Sequence, residues 1–279
     1  MVRIVTDSTC DLPADIIKHY HIEVVPLQVL FGREVFYDRV DISPQDFFRR
    51  LATAEALPTT SQPSAGDFLK VFQRILNAGD EILGIFISSK LSGTLASSIA
   101  AREQLADQPI TTIDSLSVSF GLGFLVIEAA RALEAGASRQ EAAAHVTALR
   151  EHVQIFFLVD TLEYLHKGGR IGGAQVLLGT LFRFKPILTL VDGIVEPFEK
   201  VRTRKRSLLR LVEVMAEQAG TKVTGIAVLH GAAEAEARQV ERMVKQTIQA
   251  EQYFFTDITP VIGVHTGPGL IGIAAYTHP

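Results

Sequence analysis

Three short apolar runs constrain the fold most: residues 3–6, 81–87 and 110–113 each end in a cluster of Ser, Thr or Asp and lead on to a helical pattern. A chain that alternates strand and helix in this way builds a mainly parallel sheet, and ligands of such sheets bind beyond the carboxyl ends of the strands. The loops after Thr6, Ile87 and Ile113 begin at those ends. The reading is therefore α/β, with loops of the right chemistry already gathered at one rim.

The most informative of these loops is Ser88-Ser-Lys-Leu-Ser-Gly-Thr94. It joins a strand to a helix, and a helix start carries unpaired N–H groups and partial positive charge that attract an anion. Gly93 permits close approach, and the hydroxyls of Ser88, Ser89, Ser92 and Thr94 can donate to an oxyanion. Plain capping of the helix by Ser92 or Thr94 accounts for the same residues.

Along the rest of the first half, Asp11 reads as an N-cap with Pro13 in the first turn of a helix. Residues 22–31 read as one strand despite Pro26, with a hairpin partner at 34–37, and Ser43-Pro44 opens a helix. Residues 57–64 form a rigid, hydroxyl-rich loop, and Ser64 caps a helix over 65–77. An apolar helix over 121–135 stops at Gly136, and Ser138 with Glu141 forms a capping box for 138–152.

A second cycle begins with a strand at 154–159, a short amphipathic helix and a basic, glycine-rich bend. Another apolar helix is expected over 174–181. Asp192-Gly193 is the strongest hairpin signal in the chain and joins strands at 187–191 and 194–201. Arg202-Thr-Arg-Lys-Arg206 starts a helix reaching about residue 219. A strand at 222–229, a helix at 233–250 and a strand at 252–258 follow, and residues 261–276 read as two strands about a Gly-Pro-Gly turn. The expected architecture is a two-domain α/β protein. A mainly parallel N-terminal sheet with flanking helices covers residues 1–150, and a mixed-sheet C-terminal α/β domain covers 151–279. No linker separates them, so they should pack closely, with a ligand cleft between.

Composition removes several classes. Of 279 residues 47% are hydrophobic and 21% charged, with a net charge of -4, which suits a soluble core-bearing protein and argues against broad nucleic-acid binding. The single cysteine, Cys10, excludes an internal disulfide and fits a reducing, cytoplasmic compartment. The first residues lack the apolar core of a signal peptide, and no apolar run approaches the roughly 18 residues of a membrane span. The eight histidines show no H-E-x-x-H or other ligand spacing, so no metal is expected.

Other motifs are weaker. Gly267-Pro-Gly-Leu-Ile-Gly272 matches G-x-G-x-x-G literally, but it lacks the following helix and the acidic residue that a dinucleotide site needs. There is no G-x-S-x-G elbow. His265 in its glycine-rich turn can hold a carboxylate, act as a base or serve structure alone. Arg170, unshielded after Lys167-Gly-Gly, suits a phosphate or carboxylate, and Arg202–Arg206 suits an acidic partner or phosphate. Each is equally at home as a solvated cation.

Taken together, Thr6-Asp-Ser…Asp11-Leu12, Thr60-Ser-Gln-Pro-Ser64, Ser88–Thr94, Asp160-Thr-Leu-Glu-Tyr-Leu-His-Lys-Gly-Gly-Arg-Ile-Gly172, Val201-Arg-Thr-Arg-Lys205 and His265-Thr-Gly-Pro-Gly269 resemble the DegV family. The resemblance runs through the whole chain in order. Leu95 departs from it, standing where an aromatic is expected in many members.

The characterised members are fatty-acid-binding subunits of bacterial fatty acid kinase. The resemblance implies one long-chain fatty acid between two domains, its carboxylate meeting Thr60, Ser61 and Ser92 with His265 close by, and its chain running into the C-terminal domain. It implies an ATP-dependent kinase subunit as partner, which makes the acyl-phosphate, so the chain itself is no enzyme and needs no cofactor. It associates Arg170 and Arg202 with phosphoryl contact and with docking to the partner or, transiently, a membrane surface. The rival reading is a serine esterase with Ser92 as nucleophile, His265 as base and Asp114 or Asp7 orienting the histidine.

Overall fold

The computed structural model describes residues 1–179 and 184–278. The first half runs β1 (Val2–Asp7), α1 (Ala14–His19), β2 (Glu23–Val25), β3 (Gln28–Phe31), β4 (Glu34–Tyr37), α2 (Pro44–Leu51), β5 (Thr59–Ser61), α3 (Ala65–Asn77), β6 (Glu81–Phe86), α4 (Thr94–Glu103), β7 (Ile110–Asp114), α5 (Phe120–Glu134) and α6 (Arg139–Leu149). The second half runs β8 (Val153–Leu158), α7 (Glu163–Lys167), β9 (Lys185–Val191), β10 (Ile194–Val201), α8 (Arg204–Ala219), β11 (Lys222–Gly231), α9 (Glu234–Thr247), β12 (Gln249–Asp257), α10 (Pro260–Thr266) and β13 (Leu270–Tyr276).

The strands form three sheets. A four-stranded sheet, β2-β1-β6-β7, is parallel throughout, and a small antiparallel sheet, β4-β3-β5, stands beside it. The six-stranded sheet, β10-β9-β8-β13-β11-β12, is antiparallel except for the β11–β12 pair. The expected α/β class, with a parallel first sheet and a mixed second sheet, is what the chain adopts.

Strand alternation decides which helices lie on which face. Val5, Ile82 and Phe86 pack under α3 with Phe68 and Phe72, whereas Ile4, Leu83 and Ile85 face α5. In the larger sheet Ile226, Val228 and Ile273 pack against α8 and α9, while Ala227, Leu229 and Ala274 join the α5 side. Helix α5 is thus enclosed by both sheets, and every residue from Phe120 to Ala130 is buried. A helix apolar on all sides needs such a position.

Local signals hold where the cause is local. Ser64–Asp67 and Ser138–Glu141 form reciprocal capping boxes, and Ser43 caps α2. Asp192 and Gly193 take positive φ in the β9–β10 turn. Elsewhere the structure differs from expectation. Asp11 does not cap α1: it ends the 3-10 turn Ser8–Cys10 with a positive φ, its carboxylate is buried, and Pro13 stands at the start of the helix. The run 22–31 breaks at Pro26 into β2 and β3, which belong to different sheets. The helix expected over 174–181 is a 3-10 segment, Gly172–Leu177, with residues 180 and 181 outside the described residues. Residues 249 and 250, expected in a helix, open β12. The first strand expected after residue 260 is instead helix α10, with Pro260 at its first turn.

Candidate functional site

The loops after β1, β6 and β7 converge at one rim of the parallel sheet. Asp7, buried at the end of β1, accepts from Thr9 N (3.0 Å) and Oγ1 (2.5 Å) and from Ile87 N (2.8 Å), tying the first loop to the second. Burial raises its carboxyl above the usual range, against the lowering pull of these bonds. In the second loop Ser88 is buried and donates to Gly193 O (2.9 Å) in the β9–β10 turn, so the hairpin seats directly on the loop. Ser92 Oγ accepts from Thr94 N (3.3 Å) and shares a hydrogen bond with Thr94 Oγ1 (2.9 Å). Gly93 leaves room for Gln62, whose Nε2 would lie 2.6 Å from an added Cβ.

Facing this loop is a pair from opposite ends of the chain: Thr60 Oγ1 on β5 and His265 Nε2 on α10 are 2.8 Å apart. The His265 ring is largely buried, and its Nδ1 has no hydrogen-bond partner where it lies against Gly168. Burial, with the nearby Arg170 cation adding to it, lowers the imidazole to about 4, so it is neutral at physiological pH. Either group can donate in this bond, according to the imidazole tautomer; with the proton on Nε2, the Thr60 hydroxyl hydrogen is free to point at an anion. Arg170 donates from Nε to Leu91 O (2.9 Å) and from Nη1 to Gly168 O (2.8 Å), bracing the glycine-rich bend against the Ser88–Thr94 loop.

Helix α10 is held at its other end by buried carboxylates. Thr259 N donates to Asp11 Oδ1 (2.8 Å), Ser119 Oγ donates to Asp11 Oδ2, and Val261 N reaches Asp38 Oδ1 (3.4 Å). Burial is the main cause that raises Asp11 to about 6 and Asp38 to about 7.

These groups surround a cavity of about 90 Å³ whose polar lining includes Thr60, Gln62, Ser92, Arg170 and His265. Leu91, Val118, Phe157 and Leu190 pack against the core yet stay partly exposed, and all four line this cavity. Val118, Phe157, Ile262 and Thr266 also line a second cavity of about 50 Å³, walled by apolar residues such as Ile155, Leu229 and Leu270. Polar groups thus line the first cavity, and the second, which shares four lining residues with it, is walled almost wholly by hydrocarbon.

Of the residues singled out from sequence, Thr60, Ser92, Arg170 and His265 meet at this cavity. Ser61 does not line it. As the strand neighbour of Thr60 it points to the other face, and its hydroxyl donates to Gln62 O (3.2 Å). Arg202 is exposed on a separate groove with Lys205, Arg206 and Leu209. Arg204 of the same basic run is committed to Asp160, Glu236 and Gly269 O. The esterase constellation is not assembled: Ser92 bonds to Thr94, His265 bonds to Thr60, and Asp114 accepts from Ser89 N and Leu116 N. Sequence reasoning missed Gln62, Gly168 and the anchoring pair Asp11 and Asp38. A glycine pair was visible at 168–169, but nothing local shows that His265 packs on it.

Fold and site define a class: three-sheet α/β proteins in which strand-end loops and one short helix enclose a cavity that is polar at its rim and apolar within. The chain belongs to the DegV family. The family model described as "Uncharacterised protein, DegV family" matches residues 1–278. A DegV domain-containing protein of Clostridium acetobutylicum is 40% identical over 281 residues, covering 99% of this chain and 98% of that protein. Among solved structures, a DegV family protein from Thermus thermophilus, described for its fatty acid binding, has a TM-score of 0.94 at 35% identity, with 99% of each chain covered. A stearic-acid-binding protein from Eubacterium ventriosum has a TM-score of 0.89 at 28% identity, covering 100% of this chain and 99% of the other. No helix among the described residues is long and apolar enough to cross a membrane.

Proposed function

We propose that this chain binds a long-chain fatty acid, its carboxylate at Thr60, Ser92 and His265 and its acyl chain along the path lined by Val118, Phe157, Ile262 and Leu270. The observation that carries the reading is the shared wall of the two cavities: one with a neutral hydroxyl–imidazole pair in its lining stands against an apolar one across Val118, Phe157, Ile262 and Thr266. Neutral donors there can hold a carboxylate by hydrogen bonds, and the Arg170 cation on the same lining adds attraction while its Nε and Nη1 stay bonded to backbone carbonyls. Burying a CH₂ gains about 0.8 kcal/mol, so a chain of about 15 gains up to roughly 12 kcal/mol before the costs of binding. The two cavities are small beside the roughly 300 Å³ at the low end of ligand pockets, so binding moves the partly exposed side chains of the lining outward.

In this reading residues 1–150 supply the head-group loops and residues 151–279 house the chain. The protein is a carrier without catalysis of its own. It presents the carboxylate in the cytoplasm to an ATP-dependent kinase subunit that forms the acyl-phosphate. Arg170, at the polar end, stands where a phosphoryl group would arrive, and the exposed Arg202 groove meets the kinase or, transiently, a membrane surface. Mass spectrometry of the denatured, freshly purified protein tests the core of the proposal. Co-purifying fatty acid is expected, and protein that is reproducibly empty and fails to take up oleate or palmitate would sink it.

A further inference from the structure

A second cluster lies away from this cavity. Glu128 is buried on α5, and its Oε1 is already occupied, accepting from Tyr276 OH and Arg131 Nη1, both at 2.7 Å. Its Oε2 faces two imidazoles: His145 Nε2 of α6 and His278 Nε2 beyond β13, each 3.7 Å away. All three ligand atoms lie within 4.8 Å of one another. At 3.7 Å neither histidine makes a hydrogen bond to that oxygen. Atoms bound to one tetrahedral zinc at the usual bond lengths of about 2.0–2.2 Å stand roughly 3.3–3.6 Å apart, close to the two 3.7 Å carboxylate–imidazole distances, and the two imidazole nitrogens lie within 4.8 Å.

We propose that Glu128, His145 and His278 form a binding site for a zinc-type divalent cation. Two imidazole nitrogens and one carboxylate oxygen are a known three-ligand zinc set, with a fourth position left for water. The nitrogen content favours zinc, cobalt or nickel over magnesium and calcium, which take oxygen ligands. Tyr276 and Arg131 orient the carboxylate from behind, the support that metal-binding carboxylates usually have. Glu128 lies eight residues along α5 from its first residue, Phe120, roughly 12 Å at 1.5 Å per residue, and none of the three ligands lines either cavity, so the site is separate from them. Its ligands come from α5, α6 and the segment after β13, so a bound ion fastens the end of the second half of the chain to two helices of the first.

The test is zinc titration of the full, chelator-stripped chain by calorimetry, with the bound metal counted after dialysis, beside His145→Ala, His278→Ala and the double variant. Both histidines are partly exposed, so these changes spare the core. One equivalent is expected to bind at micromolar concentration or tighter, undisturbed by millimolar magnesium. Each single variant should weaken it at least tenfold, and the double variant should abolish it. Cobalt gives a second readout: the intense visible bands of tetrahedral Co²⁺ should appear in the parent and vanish in the double variant. No stoichiometric zinc at 100 µM in the parent, or binding retained in the double variant, overturns the proposal.

Discussion

Replacing Gly168 with alanine places a methyl group in the slot that holds His265. Gly168 has φ -77, a value any residue adopts, so the backbone accepts the change and its effect is steric. The added Cβ would overlap His265 Nδ1 and lie 3.1 Å from Cε1 and 2.9 Å from the Tyr164 carbonyl oxygen. Thr60 bounds the ring on the side of Nε2, so the imidazole has no room to slide and must swing out of its slot. Overpacking of this kind costs about 1–3 kcal/mol.

The sharper signature is the imidazole's own titration. Burial and Arg170 hold it at about 4, and in solvent it returns toward 6.5. A folded-state value below the unfolded one means that the parent loses stability as pH falls from about 6.5 to about 4, by about 3 kcal/mol in all. The variant should lose less over the same window. Loss of a hydrogen-bonded hold on the carboxylate, about 1.5–3 kcal/mol for a charged group, should weaken oleate binding roughly 10- to 100-fold. Titration of the His265 ring proton by NMR and oleate binding by calorimetry provide the two measurements. An imidazole still near 4 together with an affinity within twofold of the parent would refute the reasoning about the slot.

Three further outcomes are expected. Thr60→Val keeps the shape of the side chain but leaves His265 Nε2 without its partner, so urea unfolding should show a loss of about 1–3 kcal/mol, with weaker oleate binding. Asp38→Asn mimics the protonated acid. Because burial raises Asp38 to about 7, its contribution to stability is full below about pH 4 and is lost as pH rises through 7, so urea midpoints of the variant should gain on the parent between pH 5 and pH 8. A gap that does not change with pH would remove Asp38 as the cause. Ser92 stands one residue before Gly93, the N-cap of α4, so Ser92→Ala removes only the acceptor for Thr94 N and should cost about 0.5–1.5 kcal/mol in urea unfolding, in addition to any loss of oleate affinity.

How much of this was legible in the sequence depends on how far apart the causes lie. The Ser64 cap, the Ser138–Glu141 capping box and the Asp192-Gly193 turn are complete within a few residues, and the sequence shows each of them. It does not show the α10 segment, because apolar β-branched residues in 261–264 suit a strand. Its start is held by Asp11 and Asp38, more than two hundred positions away, and Gly263 lets it close on Phe47. Pro260 was the one local hint, being favoured in the first turn of a helix. Ser61 could have been separated from Thr60 by strand alternation alone once β5 was seen as a strand. The Glu128, His145 and His278 cluster has no sequence spacing to find, since three distant segments supply one ligand each.

The position of α5 bears on how the molecule comes apart. A helix buried on every side for its first three turns cannot keep its surroundings if either sheet leaves. The side chains that close one half's core are the same ones that close the other's, with Phe124 meeting Phe120, Phe254 and Tyr276 in one aromatic stack. Neither half can release the cavity by unfolding alone without exposing this shared helix to water. The shared helix makes the two sheets one cooperative unit, so exchange of the proposed fatty acid should proceed by local movement of the rim.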